Sequence, residues 1–260
     1  GVFVLSARSA AALTGLAAAH AERLAASDGT ASDWAASDWA AACWTAATGR
    51  AALPWRRAVV ADTAADAAAV LRGNAAPAWS IESGTPVTGP APLVWLFTGQ
   101  GALRPGASGG LLDTEPAFAE AWHAACSAFA PYLPAGTPGL HVVLHGPDAA
   151  EWLRRPSLAQ PAHIALAAAL AALWRARGLT PAMVLGHSLG EYAAAYIAGV
   201  LDLDGLARLV AGRGRLCEAL APGGMAATTA SEAEVTAALA KLPTALATEF
   251  GLAALHGPAG

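Results

Sequence analysis

The sequence predicts an α/β fold in which helices cover a parallel sheet. Two uninterrupted apolar runs, 93–98 (LVWLFT) and 182–185 (AMVL), are typical of parallel strands that are buried on both faces. Helical patterns separate and follow these two runs, at 115–130, 159–177, about 189–198 and 203–220. Strands that alternate with helices in this way indicate an α/β layer fold.

The region before this core has a different pattern. It predicts two short strands and two helices, in the order strand 2–5 (VFVL), helix 6–26, strand 57–61 (RAVVA) and helix 63–72. A run rich in Pro, Gly, Ser and Thr, 73–92, predicts a linker or domain edge. The sequence therefore predicts a small α+β domain over 1–92, followed by the α/β core over 93–221.

The pattern changes again over 222–260. Strands are predicted at 223–230 (GGMAATTA) and 251–255, on either side of a helix at 232–242. A β-α-β start with nothing after it is an incomplete unit. We therefore expect 222–260 to be the beginning of a third domain, and the native chain to continue past Gly260.

Composition excludes several classes of partner. The chain of 260 residues is 55% apolar and 13% charged, with a formal net charge of −4, so we expect a well-buried core and no nucleic acid or membrane partner. The three cysteines, Cys43, Cys126 and Cys217, have no CxxC spacing, so we expect neither a disulfide framework nor a metal site. The longest apolar stretch, 162–174, is too short to cross a bilayer, and the N-terminus has no secretory signal. These features predict a soluble, cytoplasmic protein.

The sequence Gly186-His187-Ser188-Leu189-Gly190 is the strongest chemical motif. It follows a predicted strand and precedes a predicted helix. In a GxSxG elbow, the glycines leave room for a sharp strand-to-helix turn that presents the serine hydroxyl above the sheet. The amides at the start of the helix can stabilise an oxyanion. We therefore predict that Ser188 is a nucleophile for acyl transfer, with an incidental turn as the alternative.

Two further residues are candidates for the same site. Gln100 lies between two glycines at the end of the other predicted buried strand, where sites of parallel sheets collect. Its backbone amide is a candidate second oxyanion donor beside that of Leu189, although a tight loop with a solvated side chain explains the pattern equally well. Arg213 lies about one helix after the serine and has the side chain suited to bind a carboxylate. By residue type alone, a surface arginine is the simpler interpretation.

Three strings in the sequence carry a family resemblance: VWLFTGQGA, GHSLGEYAAAYIAGVLDLDGLARLV and RGRLC. In this order they resemble the acyltransferase domains of modular type I polyketide synthases, and they are similar to malonyl-CoA:acyl-carrier-protein transacylases of fatty acid synthesis. The resemblance runs from about Leu93 to the C-terminus. It implies a hydrolase-like core and then the start of a C-terminally truncated, ferredoxin-like subdomain. Residues 1–92 resemble the linker domain between ketosynthase and acyltransferase, whose opening strand ends in LSAR, here at 5–8.

The resemblance implies a ping-pong reaction. Ser188 would take an extender unit from an acyl-CoA substrate and pass it to the phosphopantetheine thiol of an acyl carrier protein. Gln100 and Leu189 would supply oxyanion amides, and Arg213 would pair with the distal carboxylate of the extender unit. The further partner would be a neighbouring ketosynthase domain, and no bound cofactor is implied. Leucine at 189 resembles malonyl-selecting domains, so malonyl is the expected unit and methylmalonyl or another extender is the alternative.

The general base is not assigned. An activated serine needs one, usually a histidine, and the histidine of the family lies after Gly260. His187 adjoins the nucleophile on a tight turn, and His256 resembles a strand-end residue. The other histidines are interpreted as structural or exposed: His20, His123, His141, His145 and His163. We therefore expect these 260 residues to lack the base.

Two other functions fit parts of the sequence. A serine α/β-hydrolase or thioesterase would share the elbow, but it would need an acid and a histidine after the serine and would have no use for Arg213. An inactive, truncated scaffold fragment would explain the incomplete C-terminus. Covalent labelling of Ser188 by malonyl-CoA distinguishes both from an acyltransferase.

Overall fold

Two units make up the chain, Gly1–Leu93 and Val94–Gly260. The computed structural model describes residues 1–25, 39–74, 79–83, 92–221, 223–247 and 249–255. The boundary between the two units falls at the end of the segment predicted as a domain edge. The finer division into three domains stays a prediction.

The first unit is built on a three-stranded antiparallel sheet. Its strands lie in the order β1 (Val2–Ala7), β2 (Trp55–Val60) and β3 (Trp79–Ser83). Its helices are α1 (Ala10–Ala25), α2 (Trp39–Thr48) and α3 (Ala64–Leu71). The two predicted strands and two predicted helices are confirmed. The prediction of a linker was wrong for residues 79–83, because they pair with β2 and complete the sheet.

Alternation along β1 determines which face of this sheet is covered. Phe3, Leu5 and Ala7 are buried, whereas the intervening side chains are partly or fully exposed. Successive side chains of a strand point to opposite faces, so one face packs against helices. From α1, Leu13 and Ala17 join the same buried cluster.

The second unit contains two parallel strands, β4 (Val94–Phe97) and β5 (Met183–Gly186). They pair in register from Val94 opposite Met183 to Phe97 opposite Gly186. Its helices are α4 (Gly109–Thr114), α5 (Pro116–Phe129), α6 (Leu140–His145), α7 (Ala149–Trp152), α8 (Pro156–Ala176), α9 (Gly190–Ile197), α10 (Leu203–Glu218), α11 (Glu232–Leu239) and α12 (Thr244–Ala247). The α/β class with a parallel strand pair is therefore confirmed.

The strands of this pair are covered on one face only. Leu96 and Leu185 are 71% and 62% exposed, and Val94 and Met183 also lie open. The opposite side chains are less exposed, and α9 packs against both strands. The prediction of strands buried on both faces was therefore wrong for the described residues.

The strands predicted after Pro222 are also absent from the described residues. Residues 223–230 and 251–255 are irregular, while the predicted helix between them is present as α11. Ser231 and Glu234 form a reciprocal capping box at the start of α11, which explains why this helix begins where it does. Apolar composition alone predicted strands here without the pairing partners that a strand needs.

Helix α8 forms the centre of the second unit. By length and composition it could cross a membrane, but 72% of its most apolar window is buried inside the fold, as in the core helix of a globular domain. Leu158, Ile164 and Ala165 are fully buried and belong to the main core. The helix therefore packs against protein along most of its length.

Helix α10 crosses α8 at very close range. A β-carbon on Gly214 would lie 2.7 Å from the carbonyl oxygen of Pro156 and 2.9 Å from Cα of Ser157. Glycine is therefore needed for the two backbones to touch at this point. This crossing fixes the part of α10 that carries Arg213.

Candidate active site

Ser188 lies in a sharp turn between β5 and α9. Its φ angle is 52°, in the left-handed region that residues other than glycine rarely adopt. The N–H of Gly190 donates to the carbonyl of His187, and the N–H of Glu191 donates to that of Ser188. The strained backbone and the exposed serine are what the elbow motif predicts.

The two elbow glycines are required by close backbone contacts. A β-carbon on Gly186 would lie 2.2 Å from the nitrogen of Glu191. One on Gly190 would lie 2.2 Å from the carbonyl oxygen of Phe97, at the end of β4. No side chain fits at such distances, so the glycines allow the turn to fold back on the sheet.

The two candidate oxyanion donors occupy equivalent places after two adjacent strands. Phe97 pairs with Gly186, and Gln100 and Leu189 each follow one of these paired residues by three positions. In the described part of the chain, neither backbone N–H donates to a protein acceptor. The side chain of Leu189 is fully buried in the core.

Arg213 extends from α10 to the nucleophile. Its Nη2 donates to Oγ of Ser188 at 3.4 Å, and no carboxylate among the described residues pairs with it. Arg215, two residues later, points away and donates to the carbonyl of Tyr132 at 2.6 Å. The structure thus brings together Ser188 and Arg213, and it separates Arg215 from them.

Two polar side chains of α8 join this site. Sequence reasoning missed Gln160, and it interpreted His163 as structural or exposed without placing it near Ser188. Gln160 donates from Nε2 to Oε1 of Gln100 at 3.0 Å. Nε2 of His163 lies 3.1 Å from the carbonyl oxygen of Thr98. The available signal was their polarity within a long apolar helical pattern, which is costly unless each side chain finds a partner.

Burial disfavours the charged form of His163. It lowers the pKa of the imidazole below its ordinary value, and the hydrogen bond with the Thr98 carbonyl opposes this only in part. A neutral ring with its proton on Nε2 donates to that carbonyl, as the distance requires. His163 is therefore a structural donor, as predicted for this group of histidines.

The general base stays unassigned in the structure. The ring of His187 lies beside Gly99, where an added β-carbon would meet its Nδ1 at 2.9 Å. His256 lies outside the described residues. Among the described residues, no group of three or more His, Cys, Asp or Glu side chains could hold a metal ion.

Comparison with known proteins identifies the family. A family model described as the acyl transferase domain matches residues 94–248, which include Ser188, Gln100 and Arg213. This chain belongs to that family. Residues 1–71 of this acyl transferase match a second model, described as CurL-like, polyketide synthase C-terminal.

The curated relatives of this acyl transferase domain are modular polyketide synthases. It is 38% identical over 260 residues to erythronolide synthase EryA2 of Saccharopolyspora erythraea, covering 98% of this chain and 7% of that protein. It is 40% identical over 173 residues to polyketide synthase GfsB of Streptomyces halstedii, covering 66% of this chain and 3% of the relative. The chain therefore spans a small part of these relatives, and its resemblance to modular type I polyketide synthases is confirmed.

Solved structures support the same assignment. The acyltransferase domain from module 8 of the salinomycin polyketide synthase is 33% identical, with a TM-score of 0.76 over 99% of this chain and 58% of that one. The acyltransferase domain from the second module of the same synthase is 36% identical, with a TM-score of 0.58 over 98% of this chain and 56% of that one. The predicted acyltransferase fold is thereby confirmed.

Proposed function

We propose that this domain transfers a malonyl extender unit from a coenzyme A thioester to the phosphopantetheine thiol of an acyl carrier protein. The intermediate is an ester on Ser188. The observation that carries the proposal is the guanidinium of Arg213, unpaired among the described residues and 3.4 Å from Oγ of Ser188. A fixed positive charge beside a nucleophile selects acyl groups that bring their own carboxylate.

The first half of the reaction acylates the serine. Oγ of Ser188 bonds to the thioester carbonyl carbon and gives its proton to a general base. The tetrahedral intermediate then breaks its carbon–sulfur bond, and coenzyme A leaves as the thiol with that proton. The family resemblance implies that this base is a histidine, which stays unassigned among the described residues.

The second half returns the enzyme to its starting state. The thiol of the carrier protein gives its proton to the base, attacks the ester carbonyl of acyl-Ser188 and displaces Oγ, which takes the proton back. In both halves the negative charge develops on the former carbonyl oxygen. The N–H groups of Gln100 and Leu189 are the proposed donors to it, and donors held in place before reaction are the efficient ones.

Arg213 supplies selectivity. A guanidinium near the nucleophile stays unpaired when acetyl occupies the site, and it gains a partner when a carboxylated acyl group binds. Malonyl is favoured over methylmalonyl on the sequence resemblance at Leu189, with methylmalonyl as the alternative unit. The chemistry needs no bound cofactor, because both acyl donor and acceptor are substrates.

The relatives suggest the setting of the reaction. They are modular polyketide synthases, so we propose that the acyl carrier protein and a ketosynthase domain belong to the same assembly. We also propose that residues 1–92 connect the domain to that ketosynthase. The reaction then takes place in the cytoplasm, where coenzyme A thioesters are supplied.

The test is intact-mass measurement of the full-length protein after incubation with malonyl-CoA. A malonyl adduct should form on Ser188, be absent in Ser188→Ala and disappear when carrier protein is added. Hydrolysis of neutral esters without a malonyl adduct would favour the thioesterase alternative. Absence of both adduct and hydrolysis would favour a scaffold.

Arg213→Ala tests the carboxylate role, with Arg215→Ala as a matched control on the same helix. The ratio of malonyl to acetyl adduct, with both donors present, should fall about 100-fold in Arg213→Ala, as expected when a charge-assisted bidentate contact is lost. It should stay unchanged in Arg215→Ala. An unchanged ratio in Arg213→Ala would contradict carboxylate selection by this residue.

A further inference from the structure

The loop that carries Gln100 is connected to helix α8 at two points. We call residues Thr98 to Gly101 the 98–101 loop. Gln160 donates to the side chain of Gln100 at 3.0 Å, and His163 contacts the carbonyl of Thr98 at 3.1 Å. Residues three apart on a helix share a face, so one face of α8 contacts both ends of the Thr98–Gln100 segment.

Gln160 is a costly residue to bury. It is 1% exposed, and its Oε1 has no hydrogen-bond partner among the described residues. A buried acceptor without a partner costs free energy that an apolar side chain of similar size would avoid. Among the described residues, the bond to Gln100 is the hydrogen bond that accounts for an amide at this position.

The 98–101 loop is rich in glycine. Glycines flank Gln100 on both sides, and Gly101 has a φ of 106°, in the region that favours glycine. The side chain of Gln100 is exposed apart from its bond to Gln160. Outside α8, Arg104 donates from Nη1 to the carbonyl of Gly101 at 2.8 Å, whereas the hydrogen bonds to Thr98 and to the Gln100 side chain come from α8.

We propose that Gln160 and His163 are positioning residues, which hold the 98–101 loop so that the Gln100 N–H faces the oxyanion formed at Ser188. This proposal rests on the proposed function for its kinetic consequence, but not for the contacts themselves. Gln160 restrains the loop through a side chain, and His163 restrains it through the backbone carbonyl of Thr98. Neither residue touches the reacting atoms.

The contacts predict a specific kinetic pattern. Loosening an oxyanion donor weakens transition-state stabilisation without removing a substrate contact. Gln160→Leu and His163→Leu should each lower the rate of Ser188 acylation by malonyl-CoA about tenfold, less than the loss of a whole donor. The KM for malonyl-CoA should stay within about twofold of the original value.

The experiment combines acylation kinetics with hydrogen exchange on the full-length protein. Amide exchange of peptides covering 97–103, followed by mass spectrometry, should be faster in both variants. Ser157→Ala is the matched control, because Ser157 is as buried and lies on the same helix but contacts neither Thr98 nor Gln100. It should retain the original exchange and acylation rates.

A double-mutant cycle separates positioning from a general packing role. Gln100→Ala removes the acceptor from an exposed side chain and keeps the backbone N–H, so the fold should tolerate it. If Gln160 acts through Gln100, the double variant should acylate no more slowly than the slower single variant. Additive losses, or unchanged exchange in Gln100→Ala, would overturn the role of Gln160.

The outcomes also distinguish this proposal from the proposed function. Faster exchange in the variants of a protein that forms no malonyl adduct would leave the positioning role intact and overturn the acyl transfer. Normal acylation with unchanged exchange in both leucine variants would overturn the positioning role and leave the acyl transfer intact.

Discussion

The two sheets of this protein bury their side chains differently. In the first unit, Phe3 and Leu5 of β1 are buried on one face of the sheet. The alternate side chains of β1, such as that of Ser6, lie on the other face. In the second unit, β4 and β5 are also covered on one face. Their open face consists of four apolar side chains, Val94, Leu96, Met183 and Leu185. Among the described residues, the open face of the first sheet also carries exposed apolar side chains, Val2 and Ile81, against four on the open face of β4 and β5. No described residue covers these four apolar side chains of β4 and β5.

The difference between the two sheets shows which contacts hold the candidate site in place. The two short strands contribute one covered face. The other contacts that hold the site are the close backbone approaches at Gly190 and Gly214 and the hydrogen bonds from side chains of α8 and α10. Substitutions at those glycines and in the two sheets therefore test these contacts.

Gly190→Ala should have the largest effect. Its β-carbon would meet the Phe97 carbonyl oxygen at 2.2 Å, so the elbow must move away from β4. We expect a loss of more than about 3 kcal/mol in the free energy of unfolding of the second unit, and no detectable acylation of Ser188. Denaturant unfolding, with hydrogen exchange to separate the two units, measures the first effect.

Gly15→Ala in α1 is the control from the first unit. Apart from its chain neighbours and the backbone of its own helix, no atom of the described residues lies within 4 Å of its β-carbon position, and alanine favours a helix interior. This variant should be stabilised by about 0.5–1 kcal/mol. Equal effects of the two substitutions would show that the elbow is not sterically constrained.

Phe3→Ala and Leu96→Ala compare the two sheets directly. Phe3 is 1% exposed and Leu96 is 71% exposed. In these 260 residues, the free energy of unfolding should fall by about 3–5 kcal/mol for Phe3→Ala and by less than about 1 kcal/mol for Leu96→Ala. A large loss for Leu96→Ala would mean that the open face of β4 and β5 is covered in solution.

Gly214→Ala tests the crossing of α8 and α10. Its β-carbon would lie 2.7 Å from the Pro156 carbonyl oxygen, so the helices must separate. We expect a loss of about 1–3 kcal/mol in the free energy of unfolding. A β-carbon on Gly212, two residues earlier, would lie 4.0 Å from the end of the Arg215 side chain, which is ordinary contact, so Gly212→Ala should be neutral or stabilising. A neutral Gly214→Ala variant would contradict the tight crossing.

Glu218→Gln should have the smallest effect, and the effect should depend on pH. Hydrogen bonds from Ser157 and then from Arg155 hold the pKa of Glu218 below its ordinary value of 4.5, although partial burial opposes them. A lowered pKa in the folded state adds stability above the unfolded-state pKa, and this stability is lost as the pH falls through the folded-state pKa. At pH 7 the variant should lose roughly 1 kcal/mol.

The pH series gives the sign of the Glu218 effect. The difference in unfolding free energy between the original protein and Glu218→Gln should be constant near neutral pH and should shrink below the ordinary pKa of 4.5. Glu151→Gln is the control, because its contact with Arg154 is long, at 3.8 Å, and exposed. A difference that grows on acidification would refute the stabilising role of the Glu218 carboxylate.

Local sequence determined much of the fold and, within the site, the turn that carries Ser188. The strand-to-helix pattern around GHSLG was sufficient to predict β5, α9 and the elbow, because turn geometry depends on neighbouring residues and on glycines. Local apolar patterns also predicted the strands β1 and β2 and the helices α1 and α3. Predictions failed where pairing partners decide, as at β3 and at residues 223–230.

Only the tertiary structure decided which side chains meet at Ser188. Arg213 and Arg215 are the same residue type two positions apart, and the contact of α10 with α8 at Gly214 decides that Arg213 lies near the nucleophile. Gln160 and His163 lie in an apolar helical pattern, and their partners are 60 and 65 residues away in the chain. The sequence therefore determined the nucleophile and its turn. The arrangement around it required long-range packing, because the bonds that complete the site join residues distant in sequence.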